Sequence, residues 1–264
     1  MTHNKYPEVK TLVEHNINVL LTGQAGSGKT TLLRQVAEEL DLPFYAVSMT
    51  KQVTLNALLG FMSINGNYVP SSFRNAVENG GMFLMDEIDA SDPNVILSLN
   101  TLENGFVAFP DKVVNVHPNF RWVATANPFN AHHIYTGRAK LDGATLDRFD
   151  IIEVGLDTNL EISLVGKETW EEVQIMRQVL SDNNSSKTVS MRDAIRLSKR
   201  KELDLAADYV ETLLEEDEFV SEYVQKLTVL RPLPPKEQSE CTTLDELKDS
   251  VIRDSHIENN KETE

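Results

Sequence analysis

A net charge of −16 over 264 residues argues against a large surface that follows nucleic-acid phosphates, since such binding needs clustered lysine and arginine, although a local basic groove is compatible with it. Hydrophobic residues make up 41% of the chain, enough for a real core, yet no apolar run approaches a membrane span and the opening MTHNKYPEVK lacks a signal peptide's apolar stretch. The single cysteine, Cys241, excludes an internal disulfide and suits a reducing cytosol, so a soluble cytoplasmic protein of one large or two smaller domains is expected.

Over residues 1–156, short apolar runs alternate with helical patterns, which predicts stacked βα units and a mainly parallel sheet. The runs NVLLT (18–22), FYAVS (44–48), MFLMD (82–86), WVATA (122–126) and IIEVG (151–155) read as core strands. Their near-continuous hydrophobicity suits strands covered on both faces.

The first strand leads into Gly23-Gln24-Ala25-Gly26-Ser27-Gly28-Lys29-Thr30, a full match to the phosphate-loop pattern GxxxxGK[ST], with Thr31 beside it. Such glycines let backbone N–H groups point inward, and the following helix, expected from Thr30 to about Leu40, adds the positive end of its dipole. Lys29 would reach the β and γ phosphates and the Thr30 hydroxyl would ligate Mg²⁺. A plain glycine-rich turn is the bland alternative, and the strand before and helix after speak against it.

Next in the chain, SINGNYVP carries an Asn65-Gly66 turn suited to a two-residue hairpin. GGMFLMDEIDA then ends a strand in Asp86-Glu87, delivering two carboxylates to the carboxyl edge of the sheet, where open α/β folds bind ligands. Asp86 would hold Mg²⁺ or its water, and Glu87 would act as general base on the attacking water. An acidic pair after a strand is ordinarily a solvated turn; the phosphate loop upstream is what favours chemistry here.

SDPNVILSLNTLENG predicts a helix capped by Ser91 or Asp92, with Pro93 in its first turn and Gly105 at its end. A second hairpin, GFVAFPDKVVNVHP, turns at Pro110-Asp111. FRWVATANP ends another strand at Asn127, whose amide could orient the attacking water between Glu87 and the γ-phosphate; an Asn-Pro turn is the alternative.

Beyond residue 157 the pattern becomes helical. TWEEVQIMRQVL sets Val173, Met176, Val179 and Leu180 on one face, and SMRDAIRLSK and AADYVETLLEE continue as helices, so residues 157–231 read as a small helical domain. Residues 232–264 are acidic with little that could pack, and a disordered tail is expected. Adjacent His132-His133 point apart on any regular element, the basic run RLSKRK (196–201) reads as a solvated helix end, and Cys241 has no catalytic company.

Phosphate loop, DEID, ATANP, GRAKLDGATLDRFDII and VSMRDAIRL, in this order, resemble an AAA+ ATPase. More narrowly the chain resembles the MoxR-type group and, within it, the CobS subunit of cobaltochelatase and its phage and bacterial relatives. The narrower likeness rests on LNALLGFMSINGNYVPSSFRNAVENGG and on NVHPNFRWVATANPFN with YTGRAKLDGATLDRFD, and covers about residues 17–200. The resemblance implies a P-loop NTPase core with a hairpin inserted in its second helix, followed by a helical lid. It implies ATP and Mg²⁺ as cofactors, Arg148 as an arginine finger reaching a neighbouring subunit's γ-phosphate, Arg138 as a second candidate, and Arg192 as the sensor-2 arginine opening a lid helix. A cation in a helix's first turn opposes the dipole, which gives Arg192 independent reason to have another partner.

Fingers in trans imply a homo-oligomer, typically a hexameric ring, whose activity depends on assembly. MoxR-type relatives often work with a partner carrying a von Willebrand factor A-like domain, so the expected function is ring-coupled ATP hydrolysis that remodels a protein partner or assists cofactor or metal insertion. In relatives the hairpins line the ring's face or pore; equally, they could be structural. An AAA+ motor or loader acting on nucleic acid is the alternative. It is disfavoured because Lys112 is the only Lys or Arg in residues 106–116 and residues 61–70 have none. A nucleotide-switched scaffold without turnover is the third reading, against which Glu87 and Asn127 speak.

Overall fold

Alternation along three buried strands divides the core into two layers. In the computed structural model, which describes residues 1–128, 141, 143–203, 205–214 and 216–230, strands β1 (Val19–Thr22), β2 (Phe44–Ser48), β5 (Gly81–Asp86), β8 (Phe120–Ala126) and β9 (Asp150–Glu153) form a parallel sheet in the order β2-β5-β8-β1-β9. Leu20, Phe83, Met85, Trp122 and Ala124 face one side; Val19, Leu21, Met82, Leu84 and Val123 face the other. Period-two side-chain direction turns continuous apolar runs into this double-sided core.

Helices α1 (Tyr6–Glu14) and α2 (Lys29–Glu39) cover the second side through Val9, Val13, Leu32, Leu33 and Val36. The first side is covered by α4 (Ser72–Asn79), whose Phe73 ring centroid lies 4.9 Å from that of Phe83. Ser71 caps α4 by accepting from the Arg74 N–H at 3.0 Å. Ahead of α4 come α3 (Leu55–Leu59) and the hairpin β3 (Phe61–Met62) and β4 (Tyr68–Val69).

The first hairpin corrects the expected two-residue turn. Ser63 N–H donates to the Asn67 carbonyl at 2.8 Å and Gly66 N–H to the Ser63 carbonyl at 2.9 Å, so three residues, Ile64 to Gly66, make the loop. Gly66, at φ 77°, takes the left-handed place that ends such a three-residue connection. The second hairpin, β6 (Phe106–Ala108) and β7 (Val113–Asn115), does turn on Pro110-Asp111, closed by Phe109 N–H to the Lys112 carbonyl at 3.0 Å.

The helix expected from Asp92 to Gly105 is shorter. Asp92 caps α5 (Pro93–Leu97), accepting from Asn94 N–H at 2.9 Å, but the chain leaves the α conformation at Leu99 and resumes as a 3-10 turn, Asn100–Asn104. Leu99 is fully buried beside Val95 and Ile96, so packing onto the sheet overrides the helical pattern there.

Contacts divide the chain into a unit Thr2–Gly155, which holds the sheet, and a helical unit from Leu156 onward. The helical unit contains α7 (Thr158–Asp182), broken at Gly166, then α8 (Met191–Lys201), α9 (Ala207–Leu214) and α10 (Asp217–Leu230). Val173, Met176, Val179, Leu197, Tyr223 and Val224 form its core. Two ion pairs stitch it internally: Arg177 grips Glu161 with two bonds of 2.7 and 2.9 Å, and Lys201 Nζ lies 2.7 Å from Glu172 Oε1, both partners buried. The basic run is solvated at Arg196, Lys199 and Arg200, as expected, and among its cations only the last is buried. Its Lys201 faces the helical core, and Arg200 lies over the Tyr209 ring at 4.8 Å.

Candidate functional site

The phosphate loop leaves the carboxyl end of β1 and enters α2 directly. Gly28 is the residue before the helix and offers no side-chain cap, so the first N–H groups of α2 keep their capacity for an anion. Gly23 packs against the end of β9: a Cβ placed there would stand 2.1 Å from the Val154 carbonyl oxygen, which excludes any side chain. Gly23 N–H donates to the Ala126 carbonyl at 3.3 Å, tying the loop's start to the end of β8.

Within the loop, Lys29 is buried and its ammonium donates to the loop's own carbonyls, Gly23 at 2.7 Å and Gln24 at 2.9 Å. Ser27 Oγ is buried and has no hydrogen-bond partner among the described residues. A buried hydroxyl without a partner is costly, and one held inside a glycine-rich loop is suited to a polar ligand there. Gln24, Ala25 and Thr31 are exposed, while Gly26, Gly28 and Thr30 are half-buried.

Two elements distant in sequence bring oxygen donors to the same place. Thr30 Oγ1 lies 3.2 Å from both Asp86 carboxylate oxygens, joining the first turn of α2 to the end of β5. A hydroxyl and a carboxylate at the mouth of a phosphate loop are the hard oxygen ligands that Mg²⁺ takes, so these residues fit that ion.

Glu87 follows Asp86 in a left-handed conformation, φ 59° and ψ 48°, before a 3-10 turn, Ile88–Ala90. For a residue with a side chain this costs about 1–3 kcal/mol, and such strain persists only where surrounding bonds enforce it. Here Glu87 N–H donates to Thr125 Oγ1 at 2.9 Å, Ala90 N–H donates to the Glu87 carbonyl at 2.9 Å, and Met49 N–H holds the Asp86 carbonyl at 2.7 Å. Thr125 is fully buried in β8 and also donates its hydroxyl proton to Asp86 Oδ1. Sequence reading passed over Thr125, because a threonine inside a β-strand carries no signal beyond strand propensity. Asn127 lies just past β8, buried, one residue beyond the Thr22–Ala126 rung beside Gly23.

Arg148 stands elsewhere. It lies between the short helix α6 (Gly143–Leu146) and β9, at the amino edge of the sheet, where its carbonyl accepts from Asn18 Nδ2 at 3.2 Å. Its Nε lies 2.8 Å from Glu103 Oε1, an ion pair without hydrogen-bond alignment, and its Nη1 donates to the Ala144 carbonyl. From Asn18 to Gly23 the strand rises about 16 Å at roughly 3.3 Å per residue, so Arg148 and the phosphate loop of one chain occupy opposite edges. Arg192 is exposed in the first turn of α8, which Ser190 and Asp193 close with a capping box. Arg138, the His132-His133 pair and Cys241 lie outside the described residues.

A five-stranded parallel sheet with a glycine-rich loop running from β1 into a helix, faced by a carboxylate at the end of β5, the next strand but one, defines a P-loop nucleotide-binding protein. Residues 18–149, half of the chain, match the AAA domain (dynein-related subfamily) family, and the chain belongs to that family. It is 24% identical over 207 residues to an uncharacterised protein of Staphylococcus epidermidis, covering 72% of this chain and 76% of the relative. Among solved structures it is similar to NtrX from Brucella abortus, with a TM-score of 0.56, 13% identity, and coverage of 95% of this chain and 68% of that one. A structure of NtrX in complex with ADP aligns with a TM-score of 0.55 and 14% identity over 95% of this chain and 62% of that one. These structural likenesses show the shared fold.

Proposed function

We propose that the protein is a Mg²⁺-dependent ATP hydrolase that works as a subunit of a ring-like homo-oligomer, hexameric as in the group it resembles. The observation that carries hydrolysis is the convergence of Lys29, Thr30 and Asp86 at the mouth of the phosphate loop, with Glu87 beside them. In this reading the loop's N–H groups and Lys29 bind the β and γ phosphates, Lys29 exchanging its hold on the Gly23 and Gln24 carbonyls for phosphate oxygens. Thr30 and Asp86 would hold Mg²⁺, which when bound supplies charge neutralisation across the β and γ phosphates. Glu87 draws the proton from the attacking water and Asn127 orients that water.

Arg148 completes the site of a neighbouring protomer, as an arginine finger. Its station at the sheet edge opposite its own phosphate loop supports action in trans. Arg138 is a second candidate for the same work, and Arg192, at the start of α8, is the cation through which the helical unit, residues 157–231, responds to nucleotide as a lid. The motor remodels a protein partner, possessing a von Willebrand factor A-like domain in the fullest form of the proposal, or assists cofactor or metal insertion of the MoxR and CobS kind. A direct nucleic-acid motor has less support: Lys112, the lone cation of the second hairpin, is committed to Glu78 at 2.8 Å.

Glu87→Gln tests the reading. It should keep ATP binding and lower turnover by at least about a hundredfold, the usual worth of a general base. Unchanged turnover would remove Glu87 from the chemistry and revive the switch without hydrolysis.

A further inference from the structure

We propose that Thr125 is a positioning residue for this hydrolysis: its single hydroxyl fixes the Asp86 carboxylate and the Glu87 backbone together, so that the two acidic residues act as one preset pair. The inference rests on the hydrolysis reading of the same site and adds to it a residue from a third strand end.

A threonine hydroxyl has one proton to give and lone pairs to accept. The Glu87 N–H can only donate, so the hydroxyl must accept from it, and the bond is 2.9 Å long. The proton is then committed to Asp86 Oδ1. Thr125 is 0% exposed, so its own hydroxyl has no water to bond in place of these two partners. The direction of both bonds is thereby fixed by chemistry and not by rotamer choice.

The consequence reaches each carboxylate differently. Thr125 ties down Asp86 Oδ1 from the β8 side, while Thr30 faces both oxygens equally from the phosphate loop, so the carboxylate is held from two sides. At Glu87 the hydroxyl anchors the amide of a residue at φ 59°. Without that anchor the amide would lose its bond and the left-handed conformation one of its few restraints. The Glu87 side chain would then leave the direction the chain now imposes. The register makes the arrangement possible: Met85 pairs with Ala124, so Asp86 and Thr125 meet on the next rung, at the carboxyl edge where the loop also ends.

Thr125→Val preserves shape and strand propensity while deleting the hydroxyl; Thr125→Ser preserves the hydroxyl. The valine variant should fold, bind an ATP analogue within about threefold of wild type, and lose about ten- to a hundredfold in kcat, the usual effect of removing a supporting partner of a metal or catalytic group. Amide hydrogen exchange at Glu87 in nucleotide-free protein should quicken in the valine variant only, and the serine variant should retain kcat within about threefold. Wild-type turnover with an unaltered valine variant would overturn the role of Thr125 alone, as would a folded serine variant as impaired as valine. Wild-type protein without ATPase activity would overturn the hydrolysis reading and the catalytic part of this proposal with it.

Discussion

Arg74 Nη1 donates to Asp111 Oδ1 at 2.8 Å, and through this bond the helix that follows the first hairpin grips the tip of the second. The same guanidinium donates from Nε to Glu78 at 2.8 Å, lies 5.3 Å from the Tyr68 ring centre on the first hairpin, and lies 4.5 Å from that of Phe109 on the second. Its side chain is 4% exposed. One buried cation thus connects both hairpins and α4.

Arg74→Met should lower stability by about 3 kcal/mol, because removing one partner strands the others; the carboxylates' remaining contact with water keeps the loss at the low end for a buried pair. Urea denaturation would measure the loss. Hydrogen exchange should quicken in both hairpins, residues 61–69 and 106–115, and loosening of only one would contradict the coupling.

Glu78 makes this cluster sensitive to acid. Its bonds to Arg74 and then Lys112 push its pKa down from 4.5 to about 2. A carboxylate depressed in the folded state contributes stability that is present above its unfolded value and lost as pH falls through its folded value. The contribution should therefore vanish between about pH 4.5 and pH 2. Glu78→Gln should flatten that part of the stability profile, by an amount that shrinks in salt because the group is partly exposed.

The five strands of the sheet and the phosphate loop were legible because their signals are local: short apolar runs, and glycines at fixed spacing before a lysine and threonine. The strand order was not, since nothing local says that β8 enters between β5 and β1. That insertion is what brings Thr125 to Asp86 and Glu87, and so the same missing information hid Thr125. Arg74 was hidden for a related reason: a lone arginine on an amphipathic helix looks solvent-facing until both hairpins fold over it. Lys201 likewise sits in a basic run that reads as exposed, yet α8 turns it onto Glu172. The helix after Asp92 was overextended because caps at each end were legible and the burial of Leu99 between them was not.

Lys201→Met should cost about 3 kcal/mol or more by leaving Glu172 buried without its ammonium, and the double change Lys201→Met with Glu172→Leu should recover most of that loss. A double variant as unstable as the single one, in thermal or urea melts, would show that the pair's geometry rather than its charge holds the helical unit.

Gly23→Ala isolates the loop's close approach to β9. The added methyl would meet the Val154 carbonyl at 2.1 Å, a backbone contact that no side-chain rotation relieves. Nucleotide affinity should fall by more than about tenfold as the loop shifts, with the helical unit's own stability untouched. Wild-type affinity, read with a fluorescent ATP analogue, would mean that the loop relaxes freely.

The central claim is a site shared between protomers, and mixing two inactive variants tests it most directly. Arg148→Ala subunits keep the phosphate loop and Glu87; Glu87→Gln subunits keep Arg148. Each variant alone should have lost at least about a hundredfold to a thousandfold in ATPase rate, and a mixture of the two should regain turnover at the interfaces where Arg148 of one variant faces Glu87 of the other. A mixture as inactive as its components, although mixed oligomers form, or an Arg148→Ala protein active by itself at every concentration, would contradict hydrolysis across subunits.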